Sequence, residues 1–238
     1  MSRDVICLYD ENGLSAEAWC EAGCEVWCYD LATKECRASS VAAGVVRFEP
    51  WDALSEQQNQ RIIARHIGRA VIVLAFPPCT DLAVSGAAHF AKKRAANPLF
   101  QAEAMKLFHV AVAIADALGV PYAIENPVSV ASTLWRKPDH SFHPYEYGGY
   151  LPENDAHPMF PEYIAARDAY PKKTCYWTGN GFVMPQPSPV PVRPGFSDQH
   201  LKLGGKSAKT KRIRSASPRG IARAICMANL PWAQREAA

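Results

Sequence analysis

Residues 70–81 read Ala-Val-Ile-Val-Leu-Ala-Phe-Pro-Pro-Cys-Thr-Asp, and this stretch decides the fold. Ala70–Phe76 is a continuous apolar run of strand length, the pattern of a strand buried on both faces of a parallel sheet. Pro77 and Pro78 end the run and stiffen the turn. Cys79 comes next, at the strand exit. In open parallel sheets ligands sit beyond the carboxyl ends of the strands. A thiol placed there is a candidate for chemistry, against the ordinary alternative of a buried structural cysteine.

The flanking sequence alternates strand and helix. Asp4–Asp10 and Glu25–Leu31 read as strands, with a helix from Ser15 to about Gly23 between them. Val45–Phe48 is a third strand, and Ser55-x-x-Gln58 resembles a capping box opening a helix to about His66. Beyond Cys79, Asn97 and Pro98 fit the cap and first position of a long helix that Gly119 ends. Phe108, Ala111, Val112, Ala115 and Leu118 form its apolar stripe. Tyr122–Glu125 is the next strand. Residues 1–128 are therefore expected to form an α/β core with a mostly parallel sheet. Residues 129–205 are rich in Pro, Gly and aromatics and read as a small irregular region. Residues 206–238 read as a basic segment and a final helix from Arg219 to about Asn229.

Composition narrows the classes. The 238 residues are 48% hydrophobic and 21% charged, which excludes a disordered or collagen-like chain. No apolar run reaches the roughly 18–20 residues that span a bilayer. No signal peptide is read at the start, so a cytoplasmic protein without a membrane partner is expected. The net charge of +3 is uneven: Lys202–Arg219 holds seven basic residues and no acid. Lys209, Lys211, Arg212 and Arg214 are candidates for phosphate contacts, with a solvated loop as the alternative. The eight cysteines do not read as a disulfide framework. Cys20, Cys24, Cys28 and Cys36 lack the paired spacing of a zinc module, so no metal is expected. His140, His143 and His157 suggest polar packing rather than a metal cluster.

A second chemical feature is Ile124-Glu125-Asn126-Pro127, again at a strand exit. It sets a carboxyl on the same rim as Cys79.

Together these residues resemble the cytosine-C5 DNA methyltransferase family, most closely its small phage-borne members. Pro77-Pro78-Cys79 resembles the Pro-Cys nucleophile motif, and Glu125-Asn126-Pro127 the Glu-Asn-Val motif with Pro in place of Val. Asp10–Gly13 resembles the cofactor loop, though that loop is usually richer in Gly. Asp30 matches the acidic residue ending the second strand, and Asp52 resembles a third cofactor carboxylate. The match runs in order through residues 4–127. Lys172-Lys173-Thr174-Cys175 loosely resembles a later basic motif, and Pro218–Ala224 the closing helix.

The resemblance implies a Rossmann-like, mostly parallel sheet of the S-adenosylmethionine-dependent methyltransferase type. It implies methylation of cytosine C5 in DNA, as in restriction–modification or phage DNA modification. S-adenosylmethionine would be held by Asp10, Asn12, Gly13, Asp30, Asp52 and Pro78. Cys79 would add to C6 of the base, Glu125 with Asn126 would hold its polar edge, and Lys173 would touch the base or its phosphate. The target would be flipped from the duplex. Residues 81–93, with Ser85, Lys92 and Lys93, would close over it. Only about 40 residues separate Lys173 from Arg214, so an oligomer or a specificity partner is a further possibility. The alternatives are the same chemistry on RNA or a free cytosine nucleotide, and a non-catalytic DNA-binding or anti-restriction protein.

Overall fold

The computed structural model describes residues 3–192, 198–204 and 207–230. Lys206 of the basic segment and residues 231–238 of the expected C-terminal segment lie outside the described residues. Two compact units divide the chain. The first holds Met1–Gly13, Trp19–Ser141 and Thr174–Phe182, and the second Leu14–Ala18, Phe142–Lys173 and Val183–Ala238.

The first unit is built on a sheet whose strands are β1 (Asp4–Leu8), β2 (Glu25–Asp30), β3 (Arg37–Val41), β4 (Gly44–Pro50), β5 (Ala70–Ala75), β6 (Tyr122–Pro127), β7 (His140–Phe142) and β8 (Thr174–Gly179). Their order is β3-β4-β2-β1-β5-β6-β8-β7. The β4-β2-β1-β5-β6 run is parallel throughout. β3 joins β4 antiparallel, and β8 joins β6 antiparallel. This is the expected α/β, Rossmann-like, mostly parallel sheet. From β1 the chain builds outward to β2 and β4 on one side, then returns to lay β5 and β6 on the other. The strand order therefore reverses between β1 and β5, the crevice where such sheets take ligands.

Sequence pattern explains the core. All five residues of β1 are buried. Ile6 and Leu8 pack with Val73, Ala75 and Trp177 beneath Phe108, Ala111 and Ala115 of α4 (Phe100–Leu118). Of the predicted stripe, Phe108, Ala111, Ala115 and Leu118 are buried and Val112 is only partly so. Gly119 ends the helix at φ 67°, a left-handed conformation suited to glycine. α2 (Glu56–His66) stands where expected, with Ser55 accepting from the Gln58 N–H as the cap, while α1 (Glu17–Glu21) is shorter than the Ser15-to-Gly23 helix read from the sequence.

Some boundaries differ. Asn97 does not cap the long helix. It terminates a shorter one, α3 (Phe90–Ala96), and its Oδ1 accepts from the Leu99 N–H at 2.9 Å. Pro98 therefore lies in a turn. The stretch 129–205 is distributed over both units, because Thr174–Gly179 returns to the sheet with Trp177 opposite Ile124. A short α5 (Ala131–Leu134) precedes β7.

The second unit contains α6 (Asp198–Lys202), α7 (Ala208–Arg214), α8 (Arg219–Asn229) and 3-10 turns at 144–150 and 166–168. Ile164, Tyr170, Leu203, Ile213 and Ala216 form a small core. Asp168 accepts from the Gly220 N–H at 2.8 Å, satisfying one of the orphan donors of the α8 first turn. Arg219 reaches Asp155 at 2.7 Å and Glu17 at 3.0 Å. Arg167 and Asp168 hold this arrangement in left-handed backbone, φ 54° and 50°. Among the described residues no helix is long and apolar enough to cross a membrane.

Candidate active site

The rim at the β1/β5 reversal is built from loops that tie to one another. β5 leads into Phe76, whose N–H donates to Leu8 O at 3.0 Å. Pro77 is buried, while Pro78 and Cys79 are exposed. The Cys79 carbonyl accepts from the Leu82 and Ala83 N–H groups at 3.0 and 2.8 Å. This turn fixes the backbone and leaves the thiol at the surface. On the neighbouring strand, Glu125 is half-buried, one position beyond the Ala75↔Ile124 pair that ends the β5–β6 ladder.

The loops after these two strands are joined. Val84 N–H donates to Val128 O at 3.0 Å, and Val130 N–H to Leu82 O at 2.9 Å. Asn126, 1% exposed, donates from Nδ2 to the Pro77 carbonyl at 3.0 Å. Its place is structural within the rim: it holds the turn that carries Cys79. Sequence reading groups it with Glu125 by motif, but only the fold shows its partner. Replacing it with alanine leaves a buried carbonyl unpaired. We expect Asn126→Ala to lose about 1–3 kcal/mol of stability, read as a lowered urea midpoint, with Cys79 less well positioned.

The loop after β1 is a tight acidic turn. Tyr9 leaves the strand at φ 61°, and its hydroxyl donates to Leu107 O at 2.9 Å. Buried Asp10 accepts from the N–H groups of Asn12 and Gly13 at 3.1 and 2.7 Å. Gly13 has φ 66°, and a Cβ there would approach the Phe48 ring to 2.9 Å, so no side chain fits this cradle. Asp30 ends β2 and accepts from the Ala32 N–H at 2.7 Å. Burial holds its carboxyl above the usual range, the Ala32 N–H opposes that, and Glu11 and Asp10 add to it. Asp52 is exposed and accepts from the Leu54 N–H at 2.9 Å, a local turn beside the Ser55 cap.

Arg37, which sequence reading missed, donates to Glu11 O at 3.0 Å and lies 3.9 Å over the Phe48 ring. It sits on β3, whose polar Arg-Ala-Ser-Ser-Val sequence gives no strand signal.

The candidate nucleic-acid residues fall in several places. Ser85 and Lys92 are exposed, in the 3-10 turn at 84–89 and in α3. Lys93 is committed locally: its Nζ meets Asp81 at 2.6 Å and Thr80 O at 2.8 Å, so it folds the segment after Cys79 on itself. In the second unit Lys173 is exposed. Lys209 donates to the Tyr163 hydroxyl at 3.1 Å, and Arg214 to Leu203 O at 2.9 Å. Lys211 and Arg212 are exposed on α7. The structure thus brings Cys79, Glu125, Asn126, Asp10, Asn12, Gly13 and Asp30 to one unit, and places Lys173 and the α7 cations in the other.

No protein-family model matches the chain, and no curated protein matches it. Among solved structures, a candidate DNA modification methyltransferase encoded within an E. coli prophage matches with a TM-score of 0.43 at 12% identity. The match covers 75% of this chain and 46% of that one, so the chain spans under half the length of that structure.

Proposed function

We propose that the protein transfers a methyl group from S-adenosylmethionine to C5 of cytosine in DNA, with Cys79 as a covalent nucleophile. The observation that carries this reading is positional. Cys79 follows β5 and Glu125 lies on the adjacent parallel β6, one position past the end of the β5–β6 ladder, on the rim beside the β1/β5 reversal, and Asn126 holds the turn that carries Cys79. Ligand sites of open α/β sheets lie there.

The residues suit the cofactor. Gly13 lets the loop after β1 pack directly on the Phe48 ring, and Asp30 at the end of β2 offers a carboxylate for ribose hydroxyls. The carboxylates of Asp10, Glu11 and Asp30 make the rim acidic, which favours a cationic ligand. Bound there, the cofactor supplies an electrophilic methyl on a sulfonium.

The chain's own groups do the rest. C5 of an intact cytosine ring is a poor nucleophile. Thiolate addition from Cys79 at C6 turns C5 into an enamine carbon able to take the methyl. Glu125 hydrogen-bonds N3 and the exocyclic amine and favours protonation of the ring during addition. Transfer of the C5 proton to a water or hydroxide from solvent then expels the Cys79 thiolate and restores the aromatic ring. Extruding the base costs a few kcal/mol, and in this reading the exposed Lys211 and Arg212 of α7 contact phosphate without reading sequence.

The test compares labelled methyl transfer by the full chain to duplex DNA, single-stranded DNA, RNA and dCMP. We expect 5-methylcytosine in duplex DNA and a stable adduct when the DNA carries 5-fluorocytosine. Transfer to dCMP alone, or no adduct under turnover conditions, overturns the reading.

A further inference from the structure

We propose that Cys7, Asp10 and Cys28 form a three-ligand site for one thiophilic divalent cation of the Zn²⁺ class. The inference is independent of the methyl-transfer reading. It rests on a juxtaposition that spacing in the sequence does not reveal. Cys7 and Cys28 are partners in the parallel β1–β2 register, so both side chains leave the same face of the sheet, opposite Ile6 and Leu8. The two Sγ atoms and a carboxylate oxygen of Asp10 all lie within 4.8 Å of one another. Cys7 and Cys28 are 0% exposed and Asp10 is 3% exposed.

The donor set has the right chemistry. Tetrahedral Zn²⁺ takes Cys and Asp ligands at roughly 2.3 and 2.0–2.2 Å, which sets ligand atoms roughly 3.5–3.8 Å apart. A cluster already within 4.8 Å reaches that spacing by side-chain adjustment. Binding releases one proton from each of the Cys7 and Cys28 thiols, while Asp10 enters as the carboxylate. The site would fasten β1 and β2 to the turn in which Asp10 also holds the Asn12 and Gly13 N–H groups.

Co²⁺ titration of the reduced, chelator-treated full chain tests this. One equivalent is expected to give a thiolate-to-cobalt charge-transfer band and the visible bands of a tetrahedral centre, with Zn²⁺ displacing it. Affinity is expected to rise about 100-fold per pH unit, as release of two protons requires. Cys28→Ser and Asp10→Asn are expected to weaken binding by more than the roughly 10–100-fold typical of losing an outer-shell partner. Cys36→Ser and Cys79→Ser remove exposed thiols and are expected to leave the bands intact. If Cys28→Ser fails to fold by circular dichroism, the near-isosteric Asp10→Asn carries the comparison. Absence of the charge-transfer band, its survival in both cluster variants, or its loss on removing an exposed thiol overturns the proposal.

Discussion

Cys79→Ser is expected to lower methyl transfer by at least about 10³-fold, while DNA binding and cofactor binding persist. The chemical reason is the poor nucleophilicity of a serine hydroxyl near neutral pH beside a thiolate. Without addition at C6, C5 gains no enamine character and the methyl has no acceptor. The structural reason for retained binding is that Cys79 stabilises its turn through its carbonyl, which accepts from the Leu82 and Ala83 N–H groups. That role survives the substitution, and an exposed Sγ-to-Oγ change creates no core cavity. Filter binding of duplex DNA and calorimetry with the cofactor check the two halves separately. Transfer at the normal rate refutes the covalent mechanism, and loss of binding together with activity points to a structural defect.

The part of this site visible in the sequence is the part written in local pattern. Ala70–Ala75 can only be a buried strand, and the turn leaving it must lie on the rim, so the run itself places Cys79. The Ser55 cap and the Gly119 stop are equally local, whereas Glu125, read as ending its strand, lies inside β6, which its pairing with β8 carries on to Pro127. The features that escape sequence reading depend on distant partners. β3 is exposed at four of five positions, so it carries no hydrophobic alternation and is a strand only because β4 offers an edge. β8 lies in an aromatic stretch whose pairing with β6 no local signal announces. The Asn97–Pro98 signature fits a helix start by composition. However, Asn97 also suits the end of α3, and the tertiary structure puts the boundary further along the chain. Contacts such as Asn126 to Pro77, 49 residues apart, and the convergence of Cys7, Asp10 and Cys28 need the register of the sheet.

The second unit carries two buried titrating groups whose effects on stability oppose each other, and separating them gives the other large expected effect. His157 is 3% exposed and accepts from the Met159 and Phe160 N–H groups through Nδ1, at 3.2 and 3.0 Å. That role requires an unprotonated Nδ1. Burial pushes its pKa from 6.5 down to about 4, Arg219 adds to this, and Asp155 opposes it. Between those values the unfolded chain binds the proton and the folded one does not. Stability therefore rises with pH through that window and is lost as pH falls from 6.5 toward 4. Asp168 does the reverse. Burial raises its carboxyl from 3.8 to about 6, against the Gly220 N–H and the Arg219 charge. Here the folded chain holds the proton and the unfolded one has released it, so stability falls as pH rises from about 4 to about 6. At 1.36 kcal/mol per unit, each group accounts for about 3 kcal/mol, and the two largely cancel in the native protein. Asp168→Asn keeps an oxygen to accept from Gly220 and removes one titration, so stability should climb by about 3 kcal/mol from pH 4 to 6.5. His157→Asn keeps an acceptor near the Nδ1 position and removes the other, so stability should fall by about 3 kcal/mol from pH 4 to 6. Hydrogen exchange of the α8 amides in each variant reads the slopes directly. Parallel slopes would mean that neither group is titrating in the buried state. Opposite slopes would mean that the native protein balances two buried groups that both feel the Arg219 charge.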